Sequence, residues 1–376
     1  MPRCNPENER AKREYLRYLR EARGRSDKTL DKVSADLDRF ETFTNRKDFK
    51  CFRIEQAEEF KRVLCEQPNK RTGKALSKST VLHVVGTLRD FFRWLPSQRG
   101  YKSLRSCDAD YFNLPARDVR IAQTTKSKRV PTLHQILHVL ACSPTNSDIE
   151  RRDQALIALT LATGARDGAI ASLKVKHIDV VERKLVQDAR EVNTKAAKTF
   201  ETWFFPVGDE VLQIIARWVH FLIREKLFGP DDPLFPATKV GLVDRRFAPV
   251  GLSRSHWIST TPIRKLFKTA FERVKLPYCN PHSFRSTLGS LGERRCRTPE
   301  EFKAWSQNLG HESPLTTFTS YGRVEPERQA QVIRELGRRR VEGPSSTIDL
   351  ADLLVFVKKQ TRQELAITEG SAVADI

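Results

Sequence analysis

Over the first ~115 residues apolar side chains recur at helical spacing, and the recurrence then stops in LPARDVRIAQTTKSKRVP, a basic stretch bounded by Pro115 and Pro131. A gap without apolar periodicity cannot join the core on either side of it. It therefore divides the chain into two blocks that each bury their own apolar face. With 376 residues there is enough chain for two such cores. The divisions read as a helical domain over residues 1–115, a basic interdomain linker over 116–131, a second domain over 132–342 and a tail over 343–376.

The first block reads as four helices separated by polar turns. The first covers residues 9–22, with Tyr15, Leu16 and Leu19 on one face. The second follows a Ser26-Asp27 cap and carries Leu30, Val33, Leu37, Phe40 and Phe43. The third covers 54–65, and the fourth begins after Ser77 in LSKSTVLHVVGTLRDFFRWL. In that fourth helix Leu82, Val85, Leu88, Phe91 and Phe92 form the expected buried face, while Lys78, His83, Arg89 and Arg93 lie opposite. Downstream of Thr132, LHQILHVLACS and RRDQALIALTLATG read as helices, the latter stopping at Gly164. Short strand-like pieces follow in HIDVV, KLVQD and TWFFPV, with a basic hairpin tip NTKAAK before the last. Helices resume over 209–226 and 256–274 and in the segments after it. The fold class is mainly α with a small antiparallel β-sheet.

Charge narrows the partner. Sixty-seven Lys and Arg face 47 Asp and Glu, leaving +20 at neutral pH, a balance suited to a polyanion. Seven cysteines are scattered and never spaced as CxxC, against both a disulfide framework and a zinc site, so a reducing cytoplasm is the expected setting. No apolar run reaches the roughly 18–20 residues of a membrane span. The tail differs from the rest: over 343–376 five acidic residues face three basic ones, and Leu350, Leu353, Leu354 and Val357 make an apolar stripe. That stripe suits packing on its own domain or on a neighbouring subunit.

The chemistry concentrates in a few residues. His282 and Arg285 stand at i, i+3 in HSFR, so both leave one face of a helix. His311 follows in LGH and Tyr321 ten residues later, while Arg166 lies upstream in TGAR. Cleaving a phosphodiester builds charge on nonbridging oxygens, which a planar, permanently charged guanidinium binds with paired hydrogen bonds. A phenol titrates near 10 and attacks only where neighbours stabilise the phenolate and the transition state. The leaving oxygen needs a proton, which a lysine on a hairpin tip is able to deliver.

The ordered set TGAR, a lysine-bearing hairpin, HSFR, LGH and a tyrosine resembles the tyrosine recombinases, the phage integrase family. The resemblance spans residues 10–324, because LSKSTVLHVVGTLRDFFRWL is similar to the last long helix of that family's N-terminal domain. It implies a helical core-binding (SAM-like) domain, a mixed α/β catalytic domain, and cleavage through a 3′-phosphotyrosyl intermediate with no ATP, metal or other cofactor. By position it makes Tyr321 the nucleophile, Arg166 and Arg285 the phosphate ligands, and His282 and His311 phosphate or proton-transfer partners. Lys198 becomes the general acid, with Lys195 as the alternative. The partner implied is a double-stranded DNA recombination site, met by a homotetramer in the synaptic complex and by a monomer or dimer off DNA, in the cytoplasm with the nucleoid. Candidate DNA contacts are Lys78, Ser79, His83 and Arg89 on the fourth helix and Arg117, Arg120, Lys126 and Lys128 in the linker. The role expected is integration, excision or transposition of a mobile element. Two other readings stand beside it: a type IB topoisomerase-like nicking and closing enzyme, and an inactive DNA-binding protein of the same fold.

Three positions depart from the family pattern. Ala169 stands where a glutamate is usual, with Asp167 as a neighbouring carboxylate; Ser286-Thr287 replaces His-Thr; and CRTPEEFKAWSQ lengthens the segment before LGH.

Overall fold

In a computed structural model the described residues are 5–69, 73–124, 129–194, 197–243 and 245–311, and they fall in two compact units, Met1–Pro131 and Thr132–Ile376. The tail, Tyr321, Lys126, Lys128 and Lys195 lie outside the described residues.

The first unit is built from helices α1 (Pro6–Glu21), α2 (Asp27–Phe43), α3 (Ile54–Glu66), α4 (Lys78–Trp94) and α5 (Ala116–Gln123). Asn5 starts α1, its side-chain oxygen accepting from the N–H groups of Glu7 (3.1 Å) and Asn8 (3.3 Å), with Pro6 preset for the first turn. The core is aromatic. Phe40 meets Phe60, Phe92 and Phe112 edge-on at centroid distances of 5.2 to 5.4 Å, the geometry that ring quadrupoles favour. Helix α4 buries Val81, Val84, Val85, Leu88, Phe91 and Phe92, whereas Leu82 is only half-buried, so its inner face is turned slightly from the expected one. A polar plug lies at the side of this core. The Lys12 ammonium is held by Glu9 (2.5 Å), Asp38 (2.6 Å) and Glu41 (2.7 Å), and Asn8 donates to Glu41 (3.1 Å). Three carboxylates that would repel one another are thus neutralised by an internal cation, and burial of that cation is repaid by its partners.

The segment 116–131 is not wholly an irregular linker. Its first half is α5, which buries no side chain and is fastened to α4 by polar contacts, Lys78 to Asp118 at 2.8 Å and Ser79 to the Ala122 carbonyl at 2.6 Å. Apolar periodicity does not detect a helix held this way.

The second unit contains α6 (Leu133–Ala141), α7 (Asp148–Thr163), α8 (Asp167–Ile170), α9 (Asp209–His220), α10 (Thr261–Arg273), α11 (Ser283–Arg295) and α12 (Pro299–Asn308). Strands β1 (Ile178–Asp179), β2 (Lys184–Gln187) and β3 (Phe200–Trp203) form an antiparallel sheet with Leu185 opposite both Ile178 and Thr202. Helix α7 is the axis of this unit, buried on all sides from Ala155 to Thr163. Ser147 and Glu150 close its first turn as a capping box, and Gly164 ends it in the left-handed conformation at φ 61. A side chain at Gly164 would meet Leu309 at 3.0 Å and Leu288 at 3.1 Å, so glycine serves both the turn and the packing.

A second hairpin, β4 (Thr238–Val243) with β5 (Arg246–Leu252), occupies a stretch that the sequence reading left without structure. The helix expected over 256–274 accordingly begins later, at Thr261, where Pro262 occupies the first turn. The lengthened segment before LGH is α12, started by a Thr298–Glu301 capping box. It is locked in place twice: Trp305 donates to the Leu288 carbonyl (2.9 Å), and Asn308 exchanges two hydrogen bonds with the backbone of Trp203 at 2.7 and 2.8 Å. The Asn308 amide thereby occupies the edge of β3 as a further strand would.

Candidate active site

Arg285 brings three separated motifs together. It lies in the first turn of α11 and is only 2% exposed, so its charge is tolerable only where polar partners receive it. Its guanidinium donates to the Gly164 carbonyl at 2.7 Å and to the Leu309 carbonyl at 2.6 Å, and lies 3.0 Å from Nε2 of His311. TGAR, HSFR and LGH thus converge on one side chain, across sequence separations of 121 and 24 residues. An arginine suits this task because its donors diverge from a rigid plane, where a lysine has a single point charge.

Gly310 sets the direction of His311. It adopts φ 70, and a Cβ there would stand 2.8 Å from the ring of Phe200 on β3, so only glycine fits this turn. His311 is half-buried, and its pKa is lowered to about 4, first by burial and then by the positive charge of Arg285, Arg166 and His282. The ring is therefore neutral at physiological pH. Since Arg285 has only N–H donors, Nε2 of His311 accepts and Nδ1 carries the proton, a tautomer assigned from the hydrogen-bond pattern.

Arg166 is the residue from which α8 starts, in extended conformation directly after the Gly164–Ala165 turn. His282 holds the equivalent place at the start of α11 and is exposed. Ala169 is 1% exposed within the hydrophobic core, so a methyl group fills the place of the usual glutamate. The neighbouring Asp167 receives the Gly168 N–H at 3.0 Å and binds Arg264 on α10 through two nitrogens, each at 2.8 Å. Its carboxylate holds α8 to α10.

Lys198 lies on the descending limb of the connection between β2 and β3 and is half-buried. The neck of this loop is closed by Ala189 N–H donating to Thr199 Oγ1 at 3.0 Å. Tyr321 and Lys195 are outside the described residues.

The candidate DNA contacts separate into two kinds. Arg117 and Arg120 are exposed on α5. Lys78 and Ser79 instead fasten α5 to α4, and His83 lies 3.6 Å from the Asp36 carboxylate. Arg89 is half-buried, with its Nε enclosed. Among the described residues Glu9, Asp38 and Glu41 form a carboxylate cluster of metal-ligand spacing, and Lys12 sits in it.

Sequence reading did not single out Ser172, His177, Glu191 or Asn308, all of which act on the segments around the site. Their importance depends on backbone partners or on distant side chains, and no motif announces either. No described helix is long and apolar enough to cross a membrane.

The model of the phage integrase family matches residues 125–328, and that of the phage integrase N-terminal SAM-like domain matches residues 13–105. Among curated relatives, a tyrosine recombinase XerC from Alcanivorax borkumensis is 27% identical over 266 residues, 70% of this chain and 74% of the relative. A tyrosine recombinase XerC from Bacillus subtilis is 23% identical over 313 residues, covering 83% and 91%. Among solved structures, a lambda integrase dimer bound to a COC′ core site aligns with a TM-score of 0.56 at 16% identity, covering 90% of this chain and 80% of that one. The Tn1549 transposon integrase in complex with a circular intermediate DNA aligns with a TM-score of 0.54 at 16% identity, covering 86% and 99%. With matches to both domains of the family over more than half its length, the chain belongs to the phage integrase family, the tyrosine recombinases, enzymes that cleave and rejoin DNA.

Proposed function

We propose that this chain carries out site-specific recombination on double-stranded DNA for a mobile element, cutting and resealing each strand through a phosphotyrosine at Tyr321. The observation that supports the reading is the convergence on Arg285, whose buried guanidinium binds the Gly164 carbonyl of TGAR, the Leu309 carbonyl and a neutral His311. A phosphodiester entering there meets two cations for its nonbridging oxygens and a ring N–H donor from Nδ1 of His311. The Tyr321 phenolate oxygen attacks phosphorus, the bond to the 5′ oxygen breaks, and the 3′ end stays linked to the tyrosine. The phenolic proton passes to a histidine of the site, His282 or His311, and Lys198 or Lys195 protonates the leaving 5′ oxygen. Attack by a second 5′-hydroxyl reverses each transfer, so one phosphodiester replaces another. Loss of one preorganised donor to the developing charge typically costs about 10²- to 10³-fold in rate.

Exchange between two duplexes requires four such centres, and a homotetramer on paired sites is the assembly proposed. The curated relatives are tyrosine recombinases XerC, and a second reading is a chromosomal role such as dimer resolution. A plasmid carrying two copies of the DNA that flanks the gene tests the choice. Excision of the intervening segment together with capture of a single-site plasmid supports the mobile-element role. Activity confined to sites from the chromosomal replication terminus, with none at the flanking DNA, refutes it.

A further inference from the structure

The ascending limb of the loop between β2 and β3 is pinned to the segment around Arg166 at three points. Directly after β2 the chain turns, with the N–H groups of Glu191 and Val192 both donating to the Asp188 carbonyl at 3.0 and 2.7 Å. Val192 enters the hydrophobic core and is 2% exposed. The Asn193 N–H donates to Ser172 Oγ at 2.8 Å, and Ser172 in turn donates to the carbonyls of Ala169 (3.0 Å) and Gly168 (3.3 Å). Glu191 makes the third attachment. One carboxylate oxygen receives Lys176 at 2.8 Å and Lys174 at 3.4 Å, and the other lies 2.8 Å from Nε2 of His177.

The His177 ring is almost fully buried and its tautomer is fixed. Nδ1 accepts the Lys174 backbone N–H at 3.0 Å, so Nε2 carries the proton and donates it to Glu191. The segment that receives these pins, residues 166–177, begins at Arg166. A side chain added at Gly168, two residues beyond that arginine, would stand 3.7 Å from the Asn193 carbonyl. The loop is therefore indexed to the same short helix that presents Arg166.

We propose that Glu191, with His177 beneath it, is a positioning residue that fixes the lysine-bearing loop relative to Arg166. This rests on the reading that a lysine of this loop, Lys198 or Lys195, protonates the leaving 5′ oxygen. A proton donor must lie within hydrogen-bond reach of the atom it serves, and displacement by about 1 Å costs up to ~10²-fold. Ser172 and Val192 fix where the limb starts, and Glu191 fixes its rotation about them through three donors on one side.

The test uses full-length protein and a half-site substrate with either an ordinary phosphate or a 5′-bridging phosphorothiolate at the scissile position. A thiolate leaves without protonation, so the modified substrate bypasses the general acid. Glu191→Ala is expected to cleave the ordinary substrate roughly 10- to 100-fold more slowly than the native chain, with near-native cleavage of the phosphorothiolate and unchanged binding in a gel-shift assay. Lys198→Ala and Lys195→Ala are measured beside it, and one of them is expected to show the same rescue more strongly. Rescue of a lysine variant while Glu191→Ala stays slow on both substrates overturns the positioning role and leaves the acid reading intact. Absence of rescue for either lysine variant overturns the acid reading and the proposal with it. Native-rate cleavage by Glu191→Ala overturns the positioning role alone. Glu191→Gln keeps an acceptor for His177 and is expected to fall between the native chain and Glu191→Ala.

Discussion

Replacing Arg285 by alanine should destabilise the second unit as well as abolish chemistry, and the size of the effect follows from the bonds lost. The guanidinium satisfies two carbonyls, those of Gly164 and Leu309, at 2.7 and 2.6 Å in a site that is 2% exposed. A buried acceptor deprived of its donor costs about 1–3 kcal/mol, and bonds to a charged donor lie at the upper end. Some water will enter the space left by the side chain, so the two carbonyls together should cost roughly 3–5 kcal/mol. For a unit of this size each kcal/mol lowers Tm by about 2–4 °C, so a fall of ~6–20 °C is expected. Differential scanning calorimetry on the full chain measures it, and the same samples at equal pH provide a second check. The pKa of His311 should rise in the variant, because one of the charges that lowers it has gone. Arg285→Lys keeps the charge but has no planar fork, and should lose about half as much stability. A drop of less than ~2 °C for Arg285→Ala would show that the two carbonyls do not depend on this side chain, and the idea of Arg285 as the junction of the site would fail.

Other consequences are measurable in the same preparations. His311 titrates at about 4 in the folded chain against 6.5 as its ordinary value, so the unfolded state binds the proton more readily. Stability from this group is intact above about pH 6.5 and is lost as pH falls towards 4. After discounting for its partial exposure, about 1 kcal/mol should disappear between pH 7 and 5 in urea titrations of the native chain and not of His311→Gln; equal losses would refute it. Gly310→Ala must place a methyl against Phe200 at positive φ, and should cost roughly 2–4 kcal/mol by thermal melting together with cleavage activity. A stable, fully active Gly310→Ala would contradict the assigned turn. DNA affinity should fall steeply with salt, by about 10³-fold or more between 50 and 200 mM if six or more phosphates are engaged, and a flat profile would exclude a phosphate-dominated grip.

Helices α1 to α4 of the first unit were legible because each buries one apolar stripe: Leu30, Val33, Leu37 and Phe40 on α2 are all buried. Where burial was not periodic, the sequence said less. Helix α5 buries nothing and is fastened by Lys78 and Ser79, residues whose charge and polarity suggested DNA contacts instead. The β4–β5 hairpin was illegible for a related reason. Val240 is 57% exposed, Leu242 69% and Phe247 84%, so its apolar residues do not alternate with a buried face, and its turn uses Arg245 at φ 62 in place of glycine or asparagine. At the site, residue types pointed to Arg166, His282, Arg285 and His311 as candidates for phosphate chemistry. The second role of Arg285 was hidden, because its partners are the carbonyls of Gly164 and Leu309, and a carbonyl is present at every residue. The same holds for Glu191, whose meaning comes from a buried histidine 14 residues away and from the loop it fixes.

The central claim is that Tyr321 attacks the scissile phosphate within this setting, and one measurement addresses it directly. The full chain is incubated with a nicked suicide site made from the gene's flanking DNA, the products are denatured, and the covalent adduct is mapped by peptide mass spectrometry and end-labelling. The account predicts an adduct at Tyr321 through a 3′-phosphate, with a free 5′-hydroxyl on the released strand and no adduct for Tyr321→Phe. An adduct that persists in Tyr321→Phe, or one joined through a 5′-phosphate, would contradict it.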